Sequence, residues 1–123
     1  MIETIKNNKI NLYLMEDFSL EFQLIKDKNL LVIVEGKKDQ LALEEFGITK
    51  VVTLNKPLFE IVESVCDKEV VVLTDLDREG RKLYSRLKRE LGFRGIKVND
   101  KLREKLFENK VCCVESLTKV LNI

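Results

Sequence analysis

Two short motifs place acidic residues directly after apolar runs. VEGKKD follows LLVIV and carries Glu35 and Asp39; TDLDREG completes the run EVVVL and carries Asp75 and Asp77. Apolar, β-branched runs without alternation mark strands covered on both faces. Ligands of open α/β sheets bind beyond the carboxyl ends of such strands. If the two strands are neighbours, Glu35, Asp75 and Asp77 converge at one edge of the sheet. Two like charges about 4 Å apart repel by roughly 4 kcal/mol at an effective dielectric near 20. Three converging carboxylates therefore hold a proton or bind a cation. Oxygen ligands without Cys or His select a hard ion, Mg²⁺ first and Mn²⁺ as the alternative. Mg²⁺ keeps several waters and is usually completed by phosphates, so the pattern points to phosphate chemistry. The competing explanation is structural: acids in strand-to-helix loops often cap helices, and Asp77 is placed to do so.

Gly36 and Gly80 each follow an acid at a strand-to-helix turn. A missing side chain can serve turn geometry, or it can let a phosphate approach a helix N-terminus. No GxxxxGK[ST] loop or GxGxxG fingerprint is present, so nucleotide-hydrolase and dinucleotide readings lack support. Around the first motif, Gly36, Lys37, Lys38 and Asp39 are candidate phosphate or nucleic-acid contacts. After the second, Arg78, Gly80, Lys82, Arg86 and Arg89 are candidates of the same kind. Between Arg78 and Lys105 the chain has 11 Lys+Arg and 4 Asp+Glu, a net of +7, while the other residues carry a net of −6. The whole-chain charge of +1 hides this segregation. A basic stripe leaving an acidic site resembles a nucleic-acid footprint. The alternative is a solvated helix face with i,i+4 pairing, but only Glu79 and Glu90 are near enough to pair.

The elements that must position these residues alternate along the chain. Strands are expected at LLVIV, KVVTL (50–54), EVVVLTD (69–75) and GIKV (95–98), with a short fifth strand at VCCV (111–114). Helices are expected between them: GKKDQLALEEFG stopped by Gly47, a helix opened by Pro57, one carrying Leu83, Leu87 and Leu91 and ended by Gly92, and KLREKLFE capped by Asn99 or Asp100. Ser116 is the expected cap of a last helix through Leu121. Near the N-terminus, Ile10, Leu12 and Leu14 alternate as in a strand, whereas Phe18, Phe22 and Ile25 suit a helix over 16–27. This order predicts a three-layer α/β/α fold with a mainly parallel sheet of four core strands in the order 2-1-3-4. One domain is expected over 1–123, with a core at about 30–98, an N-terminal extension over 1–28 and an α-β-α extension over 99–123.

Composition narrows the function classes. The chain has 123 residues, 45% hydrophobic and 35% charged, with no His and no Trp. Without His there is no imidazole-based triad, no His-ligated zinc and no histidine pH switch. Cys66, Cys112 and Cys113 form no CxxC pair, which excludes a zinc ribbon or finger; they read as small buried apolar residues in a reducing compartment. No apolar run is long enough for a membrane span and the N-terminus does not resemble a signal peptide, so a cytoplasmic protein without membrane contact is expected.

VEGKKD followed by TDLDREG resembles the Toprim domain, the module shared by type IA and type II topoisomerases, bacterial primases, OLD-type nucleases and the 5S ribosomal RNA maturation nuclease. The resemblance covers roughly residues 30–98. It implies a four-stranded parallel core, Mg²⁺ at Asp75 and Asp77, and Glu35 as an acid-base residue or additional ligand. Asp39 and Gly36 match the rest of the first motif. The chain lacks a topoisomerase's large domains and a primase's zinc-binding and polymerase lobes. It is similar instead to small stand-alone Toprim proteins of prokaryotes, whose C-terminal signature LREKL (102–106) and VESL (114–117) resemble.

The leading functional expectation is a Mg²⁺-dependent nuclease or phosphotransfer protein acting on nucleic acid. Structured RNA such as a ribosomal RNA precursor is favoured over DNA, and a protein partner is allowed for. A second expectation is a non-catalytic module that uses Mg²⁺ to grip nucleic acid within a larger complex. A phosphoacceptor receiver domain fits poorly: it carries its acid pair on strand one and a lone Asp on strand three, the reverse of the pattern here.

Overall fold

Leu31–Val34 (β1) and Glu69–Leu73 (β3) run side by side and parallel, Leu31 opposite Val70 and Val34 opposite Leu73. Their side chains alternate between two cores. Val32, Val34, Val71 and Leu73 face one helical layer, and Leu31, Ile33, Val70 and Val72 face the other. This is why both runs are apolar without alternation. The computed structural model describes the backbone of residues 2–120 and the side chains of residues 15–118.

Val51–Thr53 (β2) pairs with β1, and Lys97–Val98 (β4) pairs with β3. The sheet is therefore all-parallel with the order β2-β1-β3-β4, as expected. One face is covered by Ile2–Asp27 (α1), Lys37–Glu45 (α2), Lys101–Glu108 (α5) and Val114–Val120 (α6). The other carries Leu58–Ser64 (α3) and Arg78–Phe93 (α4). Phe18, Leu43, Leu102 and Leu117 fill the first layer, and Val62, Leu87 and Leu91 fill the second. Full burial of such a side chain contributes roughly 1.5–3 kcal/mol. Among the described residues, no helix is long and apolar enough to cross a membrane.

Several local expectations are corrected. The alternation of Ile10, Leu12 and Leu14 does not make a strand, because α1 is helical from Ile2 onward. Phe18, Phe22 and Ile25, spaced for a helix, are the residues that bury. Gly92 lies inside α4, and the chain turns away at Gly95, whose φ is +75°. Gly47 does stop α2, at a φ of +83°.

VCCV forms no fifth strand. Val111 and Val114 are buried three residues apart, a helical rather than a β spacing, and one backbone bond, from Leu76 N–H to the Cys112 carbonyl, is its link to the end of β3. With α6 starting at Val114, Ser116 is a first-turn residue rather than its cap, and Leu121 lies outside the described residues. The cysteines are not core residues either: Cys66 and Cys112 are exposed and Cys113 is half-buried.

Candidate metal centre and phosphate edge

The parallel register brings the residues after β1 and β3 together. Glu35 Oε1 accepts the backbone N–H of Asp75 at 3.1 Å. The Asp75 carboxyl is pushed up to about 6, first by burial and then by the charges of Glu35, Asp39, Asp77 and Glu115. Four neighbouring acids thus act on one carboxyl group, and the cost of ionising it is the cost expected where a cation belongs.

Asp39 is brought in by the first turn of α2 and is 7% exposed. Burial raises its carboxyl above the ordinary range, while backbone N–H groups of Glu115 and Gly36 favour the charged form. Its Oδ1 accepts the Glu115 N–H at 3.3 Å. The N-terminus of α6 is therefore seated on a carboxylate from another element, the favourable sign for a helix dipole.

The expected trio of Glu35, Asp75 and Asp77 is not the tightest group. Among the described residues, the potential ligand atoms that lie within 4.8 Å of one another belong to Asp39, Asp75 and Cys113. Glu35 is engaged with the Asp75 main chain. Asp77 is the N-cap of α4, its Oδ1 accepting the Gly80 N–H at 2.7 Å. The capping explanation for Asp77 is thus correct as far as that oxygen goes. Burial pushes the Cys113 thiol up, and its sulfur lies 3.1 Å from the Ser116 hydroxyl oxygen. A protonated thiol is a poor partner for a hard cation; the carboxylates at this edge suit one.

Gly80 is required for packing. A Cβ there would lie 2.0 Å from the Asp75 carbonyl oxygen. Its own carbonyl accepts the Thr74 hydroxyl at 2.6 Å. Its surroundings are thus main chain and a cap rather than open space for a phosphate. Around Gly36, by contrast, a Cβ would meet nothing within 4 Å, and its φ of −144° is open to any residue. Lys37 and Lys38 are exposed in the first turn of α2, beside this edge.

Arg103 is the residue that pattern reasoning misses. It sits in α5, only 7% exposed, and donates to the Thr74 carbonyl at 2.7 Å and to the Thr74 hydroxyl at 3.1 Å. Its guanidinium lies 4.2 Å from the centre of the Tyr84 ring. Burial lowers its pKa, but an arginine stays cationic. A fixed positive charge thus supports the strand end that carries Asp75.

Along α4, Arg78, Arg81, Lys82, Arg86 and Arg89 line an open groove of about 500 Å³ with Ser85. The ion pair found there among the described residues is Lys82 with Glu79 at 3.7 Å. Asn99 and Asp100 divide the expected cap of α5: Asn99 Oδ1 accepts the Lys101 N–H, while the Asp100 carboxylate takes Tyr84 and Lys88 instead.

A four-stranded parallel sheet in this order, with a glutamate after the first strand and a DxD after the third, defines a Toprim-type domain. The chain belongs to the Toprim domain family, which matches residues 30–115. It is 37% identical over 99 residues to a UPF0292 protein of Methanocaldococcus jannaschii, covering 74% of this chain and 77% of that one. A UPF0292 protein of Methanosarcina acetivorans is 34% identical over 110 residues, covering 84% of this chain and 76% of the relative. A solved structure of a protein from Aquifex aeolicus superposes with a TM-score of 0.75 at 26% identity, covering 83% of this chain and 96% of that one. Membership of the family associates the chain with divalent metal and nucleic acid.

Proposed function

We propose that this protein is a Mg²⁺-dependent nuclease or phosphotransfer enzyme acting on nucleic acid, with structured RNA such as a ribosomal RNA precursor as its substrate class. The observation that carries the reading is the raised Asp75 carboxyl, hemmed in by Glu35, Asp39, Asp77 and Glu115, on the chain just before a basic groove whose four arginines form no ion pair among the described residues. Asp75 and the Asp77 oxygen not used by the cap would hold Mg²⁺, with Mn²⁺ as the alternative. Glu35 is the acid-base residue or a further ligand. The bound cation would supply Lewis-acid polarisation of a phosphate oxygen.

The chain's own residues do the rest. Glu35 keeps Oε1 on the Asp75 N–H and offers Oε2 to accept or deliver a proton. Asp77 fixes the start of α4, so Arg78 enters the site at a set angle. Lys37 and Lys38 approach from the α2 side and Lys82, Arg86 and Arg89 from the α4 side, holding backbone phosphates on either flank.

The second reading, a non-catalytic module that grips nucleic acid within a larger complex, is favoured by one observation. Two acids of the expected trio already spend an oxygen on backbone N–H groups. A cleavage assay on total RNA and on single- and double-stranded DNA, with and without Mg²⁺, tests the proposal. Mg²⁺-dependent RNA cleavage supports an enzyme; tight binding without cleavage supports the module.

A further inference from the structure

Leu76 stands between the two aspartates of the DxD motif, and its side chain forms one wall of a cavity of about 390 Å³ between α4 and α5. The opposite walls come from Tyr84 and Arg103 and from Phe107, which is 66% exposed. The volume falls within the range of small-ligand pockets. Tyr84 is fixed from two sides, by its hydroxyl on Asp100 and by the Arg103 guanidinium against its ring. The cavity is therefore preformed, apolar along its walls, and open beside an aromatic ring that packs against little else.

Two features decide what fits. Arg81 and Ser85 line both this cavity and the basic groove on α4, so the two are continuous. A strand whose phosphates follow the groove passes the cavity mouth. The rim on the α5 side is acidic: Glu104 and Glu108 lie one helical turn apart and have no ion-pair partner among the described residues. Carboxylates repel a phosphate but accept from N–H groups. An apolar slot with an aromatic wall, phosphate-binding cations on one side and hydrogen-bond acceptors on the other matches one nucleotide turned out of its strand.

We propose that the α4–α5 cavity receives an unpaired nucleobase bearing an exocyclic amino group, stacked on Phe107 with its N–H edge toward Glu104 and Glu108. This rests on the nucleic-acid reading of the neighbouring site and narrows it to single-stranded or bulged substrates. The selectivity follows from donor counts. Guanine presents two adjacent donors, N1–H and N2–H₂, to a carboxylate, whereas uracil presents one N–H between two carbonyl oxygens that a carboxylate repels.

The test uses fluorescein-labelled oligouridylate of about twelve nucleotides, long enough to cover one binding groove, and the same oligonucleotide with a single central guanosine. Binding is followed by anisotropy in EDTA, so that cleavage does not intervene. For the wild type, the guanosine should tighten binding about tenfold, the scale of one stacked and hydrogen-bonded base. Phe107→Ala should remove that gain, lower oligouridylate affinity by less, and leave the salt dependence of binding nearly unchanged. Glu104→Gln should reduce the gain in the same direction. Because Phe107 is exposed, its loss leaves the core intact, and an unchanged melting temperature verifies this. A wild type that binds both oligonucleotides equally, or a guanosine gain that survives Phe107→Ala, overturns the pocket assignment alone. A wild type that binds neither at low salt, in EDTA or with Mg²⁺ restored, overturns the nucleic-acid reading with it.

Discussion

Glu35 and Asp75, 40 residues apart, are joined by a bond from the main chain of one to the side chain of the other. The end of β1 is thereby tied to the end of β3 through an atom of the proposed acid-base residue. Glu35→Gln keeps an oxygen for the Asp75 N–H, so the fold and nucleic-acid binding should be preserved. Cleavage should fall by about 10²–10⁴, the usual weight of a positioned acid or base. Glu35→Ala should in addition lose about 0.5–1.5 kcal/mol of stability with the hydrogen bond. Single-turnover cleavage beside a binding titration distinguishes the two variants, and wild-type cleavage by Glu35→Gln would remove the assigned role.

Asp75 makes a prediction about pH. Its carboxyl titrates near 3.8 when unfolded and at about 6 in the fold. Between those values the folded protein holds a proton that the unfolded chain has lost, so stability contributed here falls as pH rises through this window. The metal-free protein should melt higher at pH 4–5 than at pH 7 as far as this group decides it. Asp75→Asn should flatten that dependence and stabilise the metal-free protein at pH 7. Mg²⁺ should raise the melting temperature of the wild type, by about 2.7 kcal/mol of stability at a hundredfold excess over its dissociation constant, and do less for the variant. Melting curves indifferent to millimolar Mg²⁺ in both proteins would count against the site.

Gly80→Ala is expected to be among the most damaging single changes. The added Cβ meets the backbone of Asp75, not a flexible side-chain end. Neither α4 nor β3 can yield without moving Asp75, so a loss of about 3 kcal/mol or more is expected, at the upper end for overpacking. Gly36→Ala is the control and should cost little. Urea titrations of the two proteins give the comparison, and equal midpoints would contradict the packing described.

The basic groove should reveal itself through salt. Each phosphate neutralised contributes about 0.7–0.9 to the slope of log affinity against log salt, so four contacts imply a slope of roughly −3 to −4. Reversing both Lys82 and Arg86 to Glu should flatten the slope by about two contacts. The fold survives because Leu87 and Leu91 on the buried face are untouched. Wild-type affinity in the double variant at low salt would make the stripe a solvated surface.

What could be read from sequence followed burial. LLVIV and EVVVL announce their strands because both faces of each are covered, and the acids after them inherit a place at the sheet edge. The strand order and the meeting of Glu35 with Asp75 follow from there. What escaped depends on contacts between distant segments. Arg103 looks like one more surface cation in a charged helix until the Thr74 carbonyl supplies its partner. Cys113 and Glu115 lie in a stretch whose two valines mimic a strand, and nothing local shows that Asp39 waits for them. Asp77 was legible as the cap of α4, because an acid before a helical stretch is a local signal.

Asp39 receives the N–H of a residue 76 positions later, and this has a consequence for biosynthesis. A nascent chain that has delivered β1, α2, β3 and the first turn of α4 already holds every acid of the two motifs, but of the two backbone N–H groups that answer the Asp39 carboxylate only that of Gly36 is present. The face of α2 against which α6 packs is also still open. The acidic corner matures only when residue 115 has joined the fold. Any chemistry that depends on Asp39 is thereby withheld from partly made chains and from products of premature termination upstream of that point.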